Sequence, residues 1–300
     1  MAPTIAILPE PTDAFAAAVE AGGGTVGPLG GADGVVWLDR AAIPDDLPDR
    51  VRWVQLPAAG VERWIGSLPD GPVVTSMAGA FAQPVAEHAL GLLLAGLHRI
   101  GDAARAHSWD DDLRERTRSL EDATVAIVGA GGIGRALIAM LAPLRAHVLA
   151  VTRRGDPVEG AEETFASERT CDALARADVV VLAAPATPGA APLIGAGELA
   201  RLPRHAWLVN VGRGTLVDTD ALVAALRDGS IGGAALDVTD PEPLPDGHPL
   251  WSHPDVLLTP HVATAPEAEI RHAAERIRAN VERFAKGADL LGVVDRDAGY

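Results

Sequence analysis

Short apolar runs separated by polar windows recur along the whole chain, and their spacing sets the first expectation. Thr4–Leu8, Gly34–Leu38, Arg52–Leu56 and Val73–Thr75 are such runs, bounded by Gly, Pro and Asp, and they predict strands. Asp13–Ala21 and Gly60–Ile65 predict helical pieces between them. Strands separated by helices imply parallel pairing in a small α/β lobe. Pro84 then opens a pattern of apolar residues every three or four positions, which predicts one long helix from Val85 to Ala106. His107–Glu121 is polar and charged, and predicts a linker with a short arm.

A second alternation begins at Thr124. Thr124–Val128, His147–Val151, Asp178–Ala184, Trp207–Val211, Ala234–Val238 and Val256–Thr259 predict buried strands, with helices at Gly131–Leu144 and Asp218–Arg227. Nearly continuous apolar strands alternating with helices predict a doubly wound parallel sheet. Pro266–Lys286 predicts a long amphipathic helix, with Arg and Glu on its outer face, that packs back on the first lobe. The expected division is residues 1–96 with 271–300 as a substrate-binding domain, and 97–270 as a dinucleotide-binding domain.

Composition narrows the partners. The chain has 300 residues and a formal net charge of −16. So acidic a surface repels nucleic acid and anionic membranes, and neither is expected as a partner. Any anionic substrate must instead be held by local cations. Cys171 is the single cysteine, so no intrachain disulfide can form, which suits a reducing compartment. The run Ile5–Leu8 predicts a first strand rather than a signal peptide. The longest apolar stretch, Ala89–Leu97, is far shorter than the ~20 residues of a membrane span. A cytoplasmic location is expected.

Gly129-Ala130-Gly131-Gly132-Ile133-Gly134 places G-x-G-x-x-G directly after a strand and at a helix start. In that setting Gly129 permits the tight turn, Gly131 lets the backbone approach a pyrophosphate, and Gly134 lets helix and strand pack closely. The amides of the helix start, Gly132 and Ile133 among them, favour phosphate. After the second strand, Thr152-Arg153-Arg154 stands where NAD-binding versions carry an acid for the ribose 2′-hydroxyl. Two arginines there attract a 2′-phosphate, so NADP(H) is the preferred cofactor, with NAD(H) possible.

Three later strands end in polar groups suited to carbonyl chemistry. Asn210-Val211-Gly212-Arg213-Gly214 presents a guanidinium for a substrate carboxylate. Pro260-His261 presents a proton donor, and Glu242, within Pro241-Glu242-Pro243, would favour its imidazolium form. Together Arg213, Glu242 and His261 meet the needs of hydride addition to a small 2-keto acid.

These segments, with Ala235-Leu236-Asp237-Val238, Glu242-Pro243-Leu244, Pro249-Leu250-Trp251 and Thr259-Pro260-His261, resemble the D-isomer-specific 2-hydroxyacid dehydrogenases. Within that family they are most similar to the NADPH-dependent glyoxylate/hydroxypyruvate reductases. The specific motifs span residues 100–270. The likeness extends more loosely to Leu56–Val61, to Val85-Ala86-Glu87-His88 and to the last helix. It implies a flavodoxin-like domain beside a dinucleotide-binding one, with the active site in the interdomain cleft. It implies that Arg213, Glu242 and His261 are catalytic and that amides of Ala59, Gly60 and Val61 help hold the substrate carboxylate. It further implies that Asp237 meets the nicotinamide carboxamide, that Pro185, Thr187, Val211 and Gly212 line the cofactor, and that the protein is a homodimer. Substrate identity stays open, because Ala59 and Glu62 lie where relatives vary. Two other readings share the scaffold: a cofactor-sensing binding protein without turnover, and a dehydrogenase of another small anion such as formate or phosphite.

No metal site is expected. Pro249-Leu250-Trp251 between His248 and His253 prevents a regular ligand face. His88 and His98 are expected to pack or cap on the long helix.

Overall fold

The computed structural model describes residues 2–39, 41–44, 46–186 and 189–299. The chain divides into two compact units, residues 1–81 with 264–300 and residues 82–263.

In the first unit, β1 (Thr4–Leu8), β2 (Thr25–Val26), β3 (Gly34–Trp37), β4 (Trp53–Gln55) and β5 (Val73–Thr75) form one sheet in the order β2-β1-β3-β4-β5. All its ladders are parallel. Successive residues of a strand face opposite sides. Ala6, Val35 and Val54 therefore enter one apolar cluster, and Ile5, Ile7, Val36 and Trp53 the other. Thr12 caps the helix Asp13–Ala21 by accepting from Phe15 N–H. The helix Pro266–Lys286 starts with proline at its first turn and ends at Gly287, whose φ is +65°. It buries Ala273, Ile277 and Val281 at helical spacing in the second of those clusters, alongside Ala18 and Val19. The window Gly60–Ile65, expected as a helical piece, is instead a turn that leads into a short 3-10 helix at Ile65–Ser67.

In the second unit, β6 (Thr124–Val128), β7 (His147–Thr152), β8 (Glu163–Ala166), β9 (Val179–Leu182), β10 (Trp207–Asn210), β11 (Gly233–Leu236) and β12 (Val256–Leu258) form one sheet. Its order is β12-β11-β10-β9-β6-β7-β8, with every ladder parallel. Alternate residues again feed two clusters: Ala126, Val128, Val180 and Leu208 on one side, Val125, Ile127, Val179 and Val209 on the other. The strand order reverses between β6 and β9, and doubly wound sheets bind ligands at the carboxyl ends of such a switch point.

The helix expected from Val85 to Ala106 runs from Ala82 to Leu97 and is followed by a separate helix, Ile100–Arg105. Arg99 breaks it, with φ +55° and a side chain tied to Asp102 and Asp255. Ala86, Ala89, Leu93 and Leu97 join the apolar cluster of Ile127 and Leu137, so the 82–97 helix belongs to the second unit. The crossings between units therefore lie at residues 81/82 and 263/264, where the sequence pattern suggested 96/97 and 270/271. Among the described residues, no helix is long and apolar enough to cross a membrane.

Candidate active site

The turn after β6 has the geometry its glycines require. Gly129 adopts φ +99°, and a Cβ there would lie 2.5 Å from the Ala184 amide nitrogen. At Gly134 a Cβ would lie 2.4 Å from the Gly129 carbonyl oxygen. Both positions are closed to any side chain by backbone. Gly131 differs, since a Cβ there would meet nothing within 4 Å. No side chain caps the Gly132–Leu141 helix, so the first amides, from Gly132 and Ile133 onward, lack an intrahelical acceptor and border that open space. These groups fit a pyrophosphate.

Thr152 closes β7, and its Oγ1 accepts from the Gly155 amide at 2.9 Å. In this local turn, with Gly155 at φ +77°, Arg153 and Arg154 are exposed at the end of the strand next to β6. Pro185 follows β9 and is exposed. Thr187, expected to line the cofactor, lies outside the described residues.

At β10 the buried Asn210 braces the following loop. Its Nδ2 donates to the Arg213 carbonyl at 2.9 Å, and its Oδ1 accepts from the Gly212 amide at 3.1 Å. The Gly-Arg-Gly sequence has a steric cause. A Cβ at Gly212 would lie 2.8 Å from the Ala184 carbonyl oxygen, and one at Gly214 would lie 1.9 Å from that of Thr239. The loop carrying Arg213 is thus in backbone contact with the loops after β9 and β11. Arg213 is half-buried, and its guanidinium donates to the Gly212 carbonyl at 2.9 Å.

The imidazole and carboxylate are brought together. His261 Nδ1 lies 2.7 Å from Glu242 Oε1, with the two side chains 53% and 43% exposed. His261 has φ +53°, a left-handed conformation that histidine visits more readily than most residues. Its amide donates to the Asp237 carbonyl at 2.8 Å.

Asp237, just beyond β11, is only 2% exposed and gathers several donors. Oδ1 accepts from Thr259 Oγ1 at 2.6 Å and from the Val262 amide at 3.0 Å, and Oδ2 accepts from the Ala263 amide at 3.2 Å. His88 Nε2 stands 3.2 Å from Oδ1. Burial alone would raise this carboxyl group. The hydrogen bonds from His88, Thr259 and Val262 outweigh it and hold the group below the usual aspartate value. The sequence motifs held no sign of this cluster, because His88 lies 171 residues before Thr259.

In the first unit, Ala59, Gly60 and Val61 lie in the loop after β4. Leu56 N–H donates to the Thr75 carbonyl and Met77 N–H to the Ala58 carbonyl, which fixes the start of the loop. The amides of Ala59, Gly60 and Val61 have no acceptor among the described residues. His248 and His253 have local roles, accepting from the amides of Leu250 and Asp255.

The family model for the D-isomer-specific 2-hydroxyacid dehydrogenase NAD-binding domain matches residues 89–263. The chain belongs to that family. A glyoxylate reductase of Thermofilum pendens is 35% identical over 235 residues, covering 76% of this chain and 69% of its own. A D-isomer-specific 2-hydroxyacid dehydrogenase of Xanthobacter autotrophicus, crystallised with NADPH and MES, superposes with a TM-score of 0.83 at 29% identity over 100% of both chains. The NADPH-dependent glyoxylate/hydroxypyruvate reductase of Sinorhizobium meliloti, in complex with NADP and sulfate, gives 0.81 at 28% identity, again over 100% of both chains. As a 2-hydroxyacid dehydrogenase, this chain is an NAD(P)-dependent oxidoreductase with two parallel-sheet α/β domains.

Proposed function

We propose that this dehydrogenase reduces small 2-keto acids of the glyoxylate or hydroxypyruvate type to D-2-hydroxy acids, with NADP(H) preferred over NAD(H). The observation that carries the reading is the 2.7 Å pairing of His261 with Glu242, whose loop contacts the one that bears Arg213 through Gly214 and Thr239. The relatives named above as glyoxylate or hydroxypyruvate reductases support the substrate class.

In this reading Arg213 holds the substrate carboxylate with two parallel N–H donors. The amides of Ala59 and Gly60, which have no acceptor among the described residues, are further candidate donors to a carboxylate, whereas Val61 is fully buried. With Nδ1 engaged by Glu242, His261 presents Nε2 to the carbonyl oxygen and gives it a proton. Glu242 stabilises the imidazolium before the transfer and fixes which nitrogen faces the substrate. Bound nicotinamide supplies the hydride. Gly131, Gly132 and Ile133 would hold the pyrophosphate, and Thr152, Arg153 and Arg154 the 2′-phosphate. Pro185, Thr187, Val211 and Gly212 would line the cofactor. Among the described residues, Asp237 Oδ2 accepts from the Ala263 amide alone, and so keeps acceptor capacity for the carboxamide. The proposed assembly is a homodimer, which light scattering of the purified protein tests.

Spectrophotometric screening of glyoxylate, hydroxypyruvate and larger 2-keto acids with NADPH and NADH tests the reading. Tight NADPH binding with no turnover of any keto acid would mark a binding protein instead. Two further outcomes are expected. The double change Arg153→Ser with Arg154→Ser should lower kcat/KM for NADPH on the order of 10–100-fold, the worth of one charge-assisted hydrogen bond or slightly more, with NADH little affected. Equal losses with both cofactors would show that these arginines do not read the phosphate. Glu242→Gln removes the carboxylate that holds His261 Nδ1, so kcat should fall about tenfold or more while KM for the keto acid changes little. Wild-type kcat in this variant would uncouple the pair.

A further inference from the structure

We propose that His88 is a positioning residue for His261, acting through the buried carboxylate of Asp237. The inference rests on His261 being the proton donor of the reading above.

His88 lies on the 82–97 helix, a different element from the loops that carry the reacting groups, and its side chain is 22% exposed. Its Nε2 faces two atoms at once, Thr259 Oγ1 at 3.1 Å and Asp237 Oδ1 at 3.2 Å. Both must accept from it. The Thr259 hydroxyl directs its own hydrogen at Asp237 Oδ1, 2.6 Å away, and so offers His88 only a lone pair. An ionised carboxylate has no hydrogen to give. His88 therefore carries its proton on Nε2, and the three side chains form a closed arrangement in which each hydrogen has one direction.

That arrangement grips the residues around His261. Asp237 takes the Val262 and Ala263 amides on its carboxylate and the His261 amide on its carbonyl. Three consecutive amides thus converge on one buried residue, across the point where His261 turns into the left-handed region at φ +53°. The preceding residues are held as well, since Thr259 N–H donates to the Leu236 carbonyl at 3.0 Å. Without the His88 donor, a carboxylate only 2% exposed loses a partner, and the Thr259 hydroxyl is free to rotate away from it. The loop then has fewer constraints on the direction of the imidazole. Displacement of a reacting group by about 1 Å can cost on the order of 10²-fold in rate.

The test compares His88→Leu, which cannot donate, with His88→Gln, whose side-chain amide can. Turnover of glyoxylate with NADPH is measured together with amide hydrogen exchange of the segment 260–263. For His88→Leu, kcat should fall about tenfold or more while KM for the keto acid stays within about threefold, the mark of lost alignment rather than lost binding. Exchange at Val262 and Ala263 should rise about tenfold, as expected when local opening becomes easier. His88→Gln should return both quantities most of the way to wild type. Wild-type-like kcat and exchange in His88→Leu would overturn the proposal, and so would a His88→Gln protein as impaired as His88→Leu. If the wild-type protein turns over no 2-keto acid, the functional reading fails, while the exchange comparison still decides whether His88 fixes the loop.

Discussion

His261→Ala is expected to lower kcat about 10²–10⁴-fold, the usual contribution of a positioned general acid. The side chain is 53% exposed and pairs with Glu242, so little core packing is removed. KM for the keto acid should change far less than kcat, because the proposed carboxylate ligand is Arg213 and not His261. One structural effect must be separated from the chemical one. The residue sits at φ +53°, where alanine is less at ease than histidine. His261→Asn is the matching control, since asparagine tolerates the left-handed region but cannot donate a proton at neutral pH. Both variants should be slow. Steady-state kinetics with NADPH checks this, and turnover within a few-fold of wild type in His261→Asn would remove His261 from the proton-transfer step.

Gly214→Ala should be the most damaging single methyl group in the catalytic loops. Its Cβ would stand 1.9 Å from the Thr239 carbonyl oxygen and 2.6 Å from the Asp240 amide nitrogen, so backbone must move. Overpacking of this kind destabilises by about 1–3 kcal/mol. The larger consequence is chemical. The Arg213 loop and the loop that leads to Glu242 would be pushed apart, and kcat/KM should fall on the order of 10²-fold. Thermal unfolding and kinetics together check it. A variant with normal kcat/KM would mean that the two loops can separate without disturbing the site.

The core of the fold was legible because both sheets are covered on both faces. Strands such as Val179–Leu182 and Trp207–Asn210 are buried at every position, so they read as apolar runs, with Asn210 the one polar residue of the two. The edge strands Thr25–Val26 and Glu163–Ala166 were not legible, since they are short and mostly polar or half-exposed. The break at Arg99 was hidden for another reason. Apolar spacing continues through Ile100, and the break depends on tertiary bonds from Arg99 to Asp102 and Asp255. In the site, Glu242 and His261 could be paired from motifs. The Asp237 cluster could not, because its partners come from a helix and a strand end far apart in the chain.

The contacts at Gly212 and Gly214 join the Arg213 loop to the loops after β9 and β11 through main chain. Surface composition can then drift, even toward an alanine- and arginine-rich repertoire, without changing the spacing of the groups those loops present. Sequence divergence and chemical geometry become separate variables. That separation points protein engineers to side chains outside this glycine seam when a new substrate is wanted.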